Sequence, residues 1–593
     1  MTIAALWEAV GQTPGARAYV AGLEFDTVGK APEHGRAWLA SQGSFATRCV
    51  DGDLVVASET IGGPDASEIA RAFRLHGTGC TSHLSPPFTF VLFDSTARLL
   101  LAASDAACRA PLVYWFDAKT IAVSSRALHL LAHPRASRSL DETHLAHLLT
   151  GFWSAPAGTT PLEGVRRLLP GVALVARAGI VELVAFDRLI ARGPTRAVDR
   201  AAWVDAFWEQ LDAALDRLFV HAHPTCLALS GGLDSAAIAS AIARRQLSAG
   251  RMAAFSIVAP RREADESAAI AKLEEAYSDR IENHRLDCSD AIDLTALDDS
   301  VLADDPNMTP LALLPSRLRL WRAAEDAGFR AMIDGEGGDE LFSVLFGARE
   351  AIRQGRWSAA WQHLQSRRGA RRATLARAFV LPLLSKRAQR AWASRRVHDV
   401  RRRPSYLGSG AAAQRAFERA TQAFYEAQIE LDFAGETTRW LSNPAIAGAF
   451  ATQRQIASTF GIALVSPLLD RRVIELVLAI PAEWMLSREP KAFLPDAAAG
   501  RVPDAIRLQS KDIRLPSDLL RTIVSHPGVR RTVRDPVVRE RLDGWVRFER
   551  VESVLDAIAQ GYDPADDLFW AQIAGLVSFS YWYARASREY GVR

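Results

Sequence analysis

The stretch CLALSGGLDSAAIAS, Cys226 to Ser240, constrains this chain more than any other. The apolar run Cys226 to Leu229 has the length of a short buried strand. Ser230, Gly231, Gly232, Leu233, Asp234 and Ser235 follow, and small residues then continue at helix-compatible spacing through Ala243. Strand, tight glycine turn and helix start, in that order, are expected to present backbone N–H groups outward beside the positive end of a helix, so phosphate is the natural guest. Gly231 and Gly232 let the backbone approach closely, and Ser230 and Ser235 offer hydroxyls. Asp234 would be repelled by bare phosphate. It makes sense beside a cation, and Mg²⁺ takes one or two carboxylates plus phosphate oxygens. A glycine turn with a capping aspartate before a core helix accounts for SGG alone, but poorly for the whole hexapeptide between strand and helix.

A second acidic-glycine turn, IDGEGGDELF, spans Ile333 to Phe342. It too follows an apolar run and precedes helix-like sequence. Asp339 is a candidate second carboxylate for the cation. Glu336, between two glycines, is a candidate base facing the reacting centre. Taken alone this turn is an acidic helix N-terminus, a common stabilising arrangement; the pair of turns describes a two-carboxylate nucleotide–Mg²⁺ site.

Around these turns the texture falls into two parts. Up to about Asp187, short β-type runs such as FTFVLFD, LVYWF and VALVARAGIVELVAF alternate with turn residues, which predicts a sheet-rich domain over 1–190. ARGPTRAVDR marks a linker, 191–201. From Trp203 helical periodicity and apolar strand runs alternate, MAAFSIVA and a helix over about Asp265 to Tyr277 among them, which predicts a parallel α/β sheet in a 202–593 domain. A strongly basic stretch within about 352–408, densest from Arg367 to Pro404, reads first as a solvated helical hairpin and second as a docking surface for a peptide or protein.

Length forbids a single core in a chain of 593 residues. With 49% hydrophobic residues, 23% charged and a net charge of +3, the chain lacks the clustered cationic excess of a dedicated nucleic-acid binder. Cys49, Cys80, Cys108, Cys226 and Cys288 are scattered, with no CxxC, so neither a disulfide framework nor a zinc site is expected, and a reducing compartment fits. MTIAALWEAVG has no basic n-region and no apolar run is long enough to span a membrane, so the expected location is the cytoplasm.

SGGLDS lacks the spacing and lysine of a Walker A loop and resembles the PP-loop of the ATP pyrophosphatase group, whose members cleave ATP between the α- and β-phosphates. With GEGGDELF, it resembles the asparagine synthetase family, whose usual second motif reads GEGSDE. TTPLEGVRRLLPG (159–171), SDAACRAPLVYW (104–115), VSPLLDRRVIELVLAIPAEW (465–484) and VPDAIRLQSKD (502–512) are similar to further stretches of that family. The resemblance implies an α/β fold: a C-terminal PP-loop ATP pyrophosphatase-type parallel sheet with helices, plus an N-terminal sheet-rich glutamine-amidotransferase-like domain of the Ntn type. It implies ATP and Mg²⁺ as cofactors. Ser230, Gly231, Gly232, Asp234 and Ser235 would hold pyrophosphate and metal, with Asp339 as second metal ligand. Leu229, Ile257 and Gly335 would line the adenine and ribose pocket. Glu336 would deprotonate an amine or position substrate, and Lys511 would neutralise charge on phosphate and intermediate.

The pattern also departs from the family. Thr2 stands where the family exposes a cysteine after removal of Met, the segment NGEIYN has no clear match, and Ser104 replaces an arginine. The N-terminal domain is therefore expected to lack the glutamine-hydrolysing nucleophile. The acceptor side is altered as well, with DDPNMTPLALLP (304–315) and IRLPSDL after Lys511 replacing family stretches. An intact ATP half with an altered aspartate and ammonia half resembles relatives that join a carboxylate to an amine already on the substrate. β-Lactam synthetases carry tyrosine where Glu336 stands, so the resemblance favours lasso-peptide macrolactam synthetases. These imply a precursor-peptide substrate and a leader-peptide protease partner, with no nucleic acid and no membrane. Two other readings stand beside it: an asparagine synthetase or related amidating enzyme using ammonia, and a non-catalytic scaffold that binds a precursor peptide.

Overall fold

The computed structural model describes residues 2–9, 35–42, 46–59, 63–107, 112–118, 120–150, 157–177, 180–194, 199–219, 224–245, 250–260, 265–289, 314–342, 383–397, 406–408, 410–427, 444–485, 493–509, 524–562 and 567–593, with a few isolated positions besides.

Among the described residues, eleven strands build the N-terminal half: β1 (Thr2–Ala9), β2 (Gly35–Gln42), β3 (Ala46–Asp51), β4 (Leu54–Glu59), β5 (Thr89–Asp94), β6 (Leu99–Ser104), β7 (Val113–Phe116), β8 (Thr120–Ser124), β9 (Arg166–Arg167), β10 (Val172–Arg177) and β11 (Ile180–Ala185). They form two antiparallel sheets, in the orders β2–β1–β8–β7–β9 and β11–β10–β6–β5–β4–β3. Period-two alternation decides what each face meets. Val55, Ala57, Leu100 and Ala102 turn towards Leu112, Tyr114, Ile121 and Val123 of the other sheet. Their neighbours Leu54, Val56, Leu99 and Leu101 meet Ala66, Ile69, Ala70 and Phe73 of helix α1 (Ala66–His76). Asp65 and Glu68 start α1 with a capping box: the Glu68 N–H donates to Asp65 Oδ1 at 2.8 Å, and the Asp65 N–H donates to Glu68 Oε2 at 3.0 Å. Helix α2 (Glu142–Leu149) buries almost its whole length, His144 and His147 included.

The C-terminal half carries β12 (Thr225–Ala228), β13 (Met252–Val258), β14 (Ile281–Asp287), β15 (Ala331–Ile333) and β16 (Ala463–Val465) in one sheet, ordered β14–β13–β12–β15–β16 and parallel throughout. Its helices include α3 (Arg200–Phe219), α4 (Leu233–Ala243), α5 (Ser267–Tyr277), α6 (Leu314–Asp326), α7 (Gly338–Phe342), α8 (Lys386–Val397), α9 (Ala411–Ala427), α10 (Pro444–Thr459), α11 (Arg471–Ala479) and α12 (Asp567–Tyr590). Helix α3 already begins at Arg200, inside the segment read as a linker. Asp265 stays outside α5 because its carboxylate accepts from the Ser267 N–H at 3.2 Å and the Ala259 N–H at 2.9 Å. Most of the basic stretch 352–408 lies outside the described residues; α8 is the helix seen within it.

Packing joins the halves. Leu128, Leu145 and Leu149 share one buried cluster with Ile573, Leu576 and Trp582 of α12 and with Phe255 of β13. After β11 the chain crosses to α11: the Arg471 guanidinium pairs with Asp187, one arm at 2.8 Å, while the Ile190 N–H donates to Glu475 Oε1 at 3.3 Å and the Arg192 N–H to the Glu475 carbonyl at 2.9 Å. No helix among the described residues is long and apolar enough to cross a membrane.

Candidate active site

The strand order sets the place. The chain runs outward from β12 through β13 to β14, then returns to lay β15 on the other flank of β12, so the direction of winding reverses between β12 and β15. In an open parallel sheet, the crevice beyond the carboxyl ends of the strands at such a reversal is where ligands bind. Both glycine turns emerge there, SGGLDS after β12 and GEGGDE after β15.

The first turn is held from within. Ser230 and Ser235 hydroxyls lie 2.8 Å apart, and Ser235 Oγ donates to the Ser230 carbonyl at 2.9 Å. The Ser230 N–H donates to Ser235 Oγ at 3.2 Å and the Gly232 N–H to Ser230 Oγ at 3.2 Å. The Gly231 N–H is taken by Glu266 Oε2 at 3.0 Å, from the start of α5. The expectation that these N–H groups face outward is therefore corrected. Three in succession are satisfied by side chains, because a buried turn with free donors would forfeit about 1–3 kcal/mol for each. Gly232 caps α4 without a side-chain bond, leaving Leu233 and Asp234 to open the helix.

The second turn closes on the first at two points. A Cβ on Gly335 would stand 3.1 Å from the Ser235 backbone nitrogen, and one on Gly338 only 2.2 Å from Asp234 Cγ. Only glycine lets α7 start against the Asp234 carboxylate, since real side chains do not approach so closely. Gly337, at φ 93°, turns the chain between them with the backbone freedom that position demands. Asp339, next in line, is exposed.

The acidic residues feel one another. Burial pushes Glu340 up to about 8, helped by repulsion from Glu336, Asp339 and Asp234. Burial and then Glu336 also raise Asp334, against a 2.6 Å hydrogen bond from Ser466 Oγ and the pull of Arg454. Glu336 is held by Arg317 of α6, whose guanidinium nitrogen lies 2.8 Å from Glu336 Oε1 with both side chains three-quarters buried. Among the described residues no three His, Cys, Asp or Glu side chains converge as a ready-made metal cage. Carboxylates beside glycines that leave no room for Cβ fit instead a hard divalent cation that brings its remaining oxygens on a polyphosphate.

Of the residues named from sequence, Ser230, Gly231, Gly232, Asp234, Ser235, Gly335 and Glu336 gather at this crevice. Leu229 is buried at its floor, its N–H bonded to the Phe255 carbonyl at 2.9 Å and its carbonyl to Ser256 Oγ at 2.6 Å. Ile257 lies at the carboxyl end of β13. Lys511 lies outside the described residues. Glu266, Arg317, Asp334 and Glu340 were not foreseen; Asp334 and Glu340 stand inside the second acidic motif, and Glu266 in the acidic pair that opens α5. Burial pushes the Cys80 thiol up to about 11 and Cys226 to about 12, and raises Cys288, so these three are unlike activated nucleophiles.

Comparison with known proteins adds the following. The asparagine synthase family model matches residues 206–584, and the glutamine amidotransferase domain model matches residues 54–186. Among curated proteins, asparagine synthetase [glutamine-hydrolyzing] 3 of Bacillus subtilis (strain 168) is 29% identical over 160 residues, 27% of this chain and 26% of that protein, so the match spans about a quarter of the relative's length. Among solved structures, an allosteric regulatory enzyme of purine biosynthesis aligns at 11% identity over 43% of this chain and 66% of its own, with a TM-score of 0.18. A glutamine phosphoribosylpyrophosphate amidotransferase from B. subtilis, complexed with ADP and GMP, aligns at 11% identity over 53% and 61%, with a TM-score of 0.17. At those scores neither structure bears on fold or function.

Proposed function

The chain belongs to the asparagine synthase family, and from that premise we propose that it is an ATP-dependent ligase that activates a carboxylate as its adenylate and couples it to an amine. The observation that carries this reading is the contact of Gly338 with Asp234, which joins the two acidic turns into one site at the switch point of the sheet. In the proposed PP-loop, Ser230, Gly231, Gly232 and Ser235 would pack against the β- and γ-phosphates, the glycines by close backbone approach and the serines through their hydroxyls. Leu229, Ile257 and Gly335 line the nucleoside side. Asp234 and Asp339 would hold Mg²⁺, which when bound supplies charge neutralisation on the departing pyrophosphate.

The substrate carboxylate oxygen attacks the α-phosphorus, the α–β phosphoanhydride bond breaks, and pyrophosphate leaves. The amine nitrogen then attacks the acyl carbon, AMP departs, and the amine proton passes to Glu336, whose carboxylate Arg317 orients. Lys511 has the late electrostatic role that the motif match gives it. We take the acceptor to be a peptide whose N-terminal amine closes on an Asp or Glu side chain, as in lasso-peptide cyclases. The altered acceptor-side stretches, 304–315 and the run after Lys511, favour this reading. A precursor peptide is then the substrate, and a leader-peptide protease the partner, in the cytoplasm. Proximity of a prefolded peptide's two ends would supply much of the rate. The second reading, amidation of the asparagine-synthetase type, is favoured by the relative from B. subtilis, named as a glutamine-hydrolyzing asparagine synthetase.

The test is pyrophosphate release from Mg-ATP in two arms, aspartate with ammonium chloride and a peptide with a free N-terminus and an internal Asp or Glu. Release in the peptide arm, with loss of one water from the peptide by mass spectrometry, supports cyclisation; release in the first arm alone supports amidation. Asp234→Asn is expected to lower release by about a hundredfold or more; unchanged turnover in that variant refutes the site.

A further inference from the structure

Glu266 opens α5 yet does not cap it: its side chain makes no cap hydrogen bond, and the capping is done by Asp265, which accepts from Ser267 N–H and Oγ. The Glu266 carboxylate reaches instead to the glycine loop and accepts the Gly231 N–H at 3.0 Å. The other end of the same peptide unit, the Ser230 carbonyl, accepts Ser235 Oγ at 2.9 Å. The Ser230–Gly231 peptide unit is thus held at both its N–H and its carbonyl. Below it, Gly231 rests on α5 so closely that a Cβ would stand 2.7 Å from Ala269 Cβ and 3.0 Å from Glu266 Cβ.

We propose that Glu266 is a positioning residue for nucleotide binding, fixing the Ser230–Gly231 peptide so that the loop has its phosphate-receiving shape before ATP arrives. The proposal rests on the nucleotide-site reading above. Glycine gives this peptide little resistance to flipping, and a flip would break both hydrogen bonds, turn the Ser230 carbonyl towards the Glu266 carboxylate and change the shape of the loop. Gly231 has no side chain with which to resist, so the restraint has to come from elsewhere, and Glu266 supplies it from a helix packed underneath. A preformed loop avoids ordering costs on binding and so raises affinity. What the loop needs from Glu266 is an acceptor at the right reach; the negative charge itself, beside a polyphosphate, gives no advantage.

Reach and charge are separated by two conservative variants of the full chain, with α,β-methylene-ATP and Mg²⁺ as the titrated probe in calorimetry. Glu266→Gln keeps an acceptor oxygen at full length and is expected to stay within about threefold of wild-type affinity, whereas Glu266→Asp keeps the charge, falls one methylene short, and is expected to lose about tenfold, the scale of one hydrogen bond. Thermal melts of both variants check that the fold is retained. The reverse order, or equal affinity for all three chains, overturns the proposal. If the wild-type chain does not bind the analogue, the nucleotide reading fails, and this proposal fails with it. Wild-type binding with the wrong variant order refutes Glu266 alone.

Discussion

At the scale of single residues, His147 shows what burial does to a base that has no part in the proposed chemistry. Its side chain is 2% exposed on α2, and neither ring nitrogen has a hydrogen-bond partner among the described residues. Burial, and then the neighbouring His144, lower its pKa to about 4. An unfolded histidine titrates near 6.5, so as pH falls below that value the unfolded chain takes up a proton that the folded chain refuses until about pH 4. Stability is therefore lost progressively between those two values and levels off below, by about 3 kcal/mol in total from this group. Urea unfolding at pH 7 and pH 4.5 should show a smaller acid-induced loss in His147→Leu than in the wild type; an identical loss removes His147 as the cause. Residues of this kind were illegible in the sequence. A histidine in ETHLAHLL looks the same whether its face is wet or dry, and dryness is decided by α9 and α12, which pack against α2 from hundreds of residues away. SGGLDS and GEGGDE were legible for the opposite reason, since each holds its own strand end, turn and helix start in one continuous run.

At the scale of elements, the site is made by the starts of α4 and α7 touching. Gly338→Ala should force them apart, because the new methyl carbon has nowhere to sit beside Asp234. A cost of about 1–3 kcal/mol is expected for such overpacking, with pyrophosphate release falling far more than stability. Equal activity in a folded Gly338→Ala chain would mean the two turns need not stay in contact. Element-level legibility followed burial. β13 and β12 are apolar runs and were read directly. β14, IENHRLD, is mostly polar because it is the sheet's outer strand, largely exposed, so neither apolar continuity nor clean alternation announced it. Glu266 and Arg317 escaped notice for a related reason. Each acts on a loop belonging to another element, and the partnership exists only once α5 and α6 have docked on the sheet.

At the scale of the molecule, two regions with different textures share one interior. The cluster that joins Leu128, Leu145 and Leu149 to Leu576 and Trp582, together with the crossing of 187–192 over α11, predicts a single calorimetric transition with matching calorimetric and van't Hoff enthalpies. Leu145→Ala should lower that one transition as a whole; two resolved peaks would contradict the shared interior. Composition suggested separate domains, and only the packing shows that they close over a common surface. During biosynthesis the apolar side of α2 leaves the ribosome several hundred residues ahead of α12, which covers it. At ordinary elongation speeds that face stays bare for on the order of tens of seconds. The nascent first half is therefore expected to expose apolar surface that the finished protein hides.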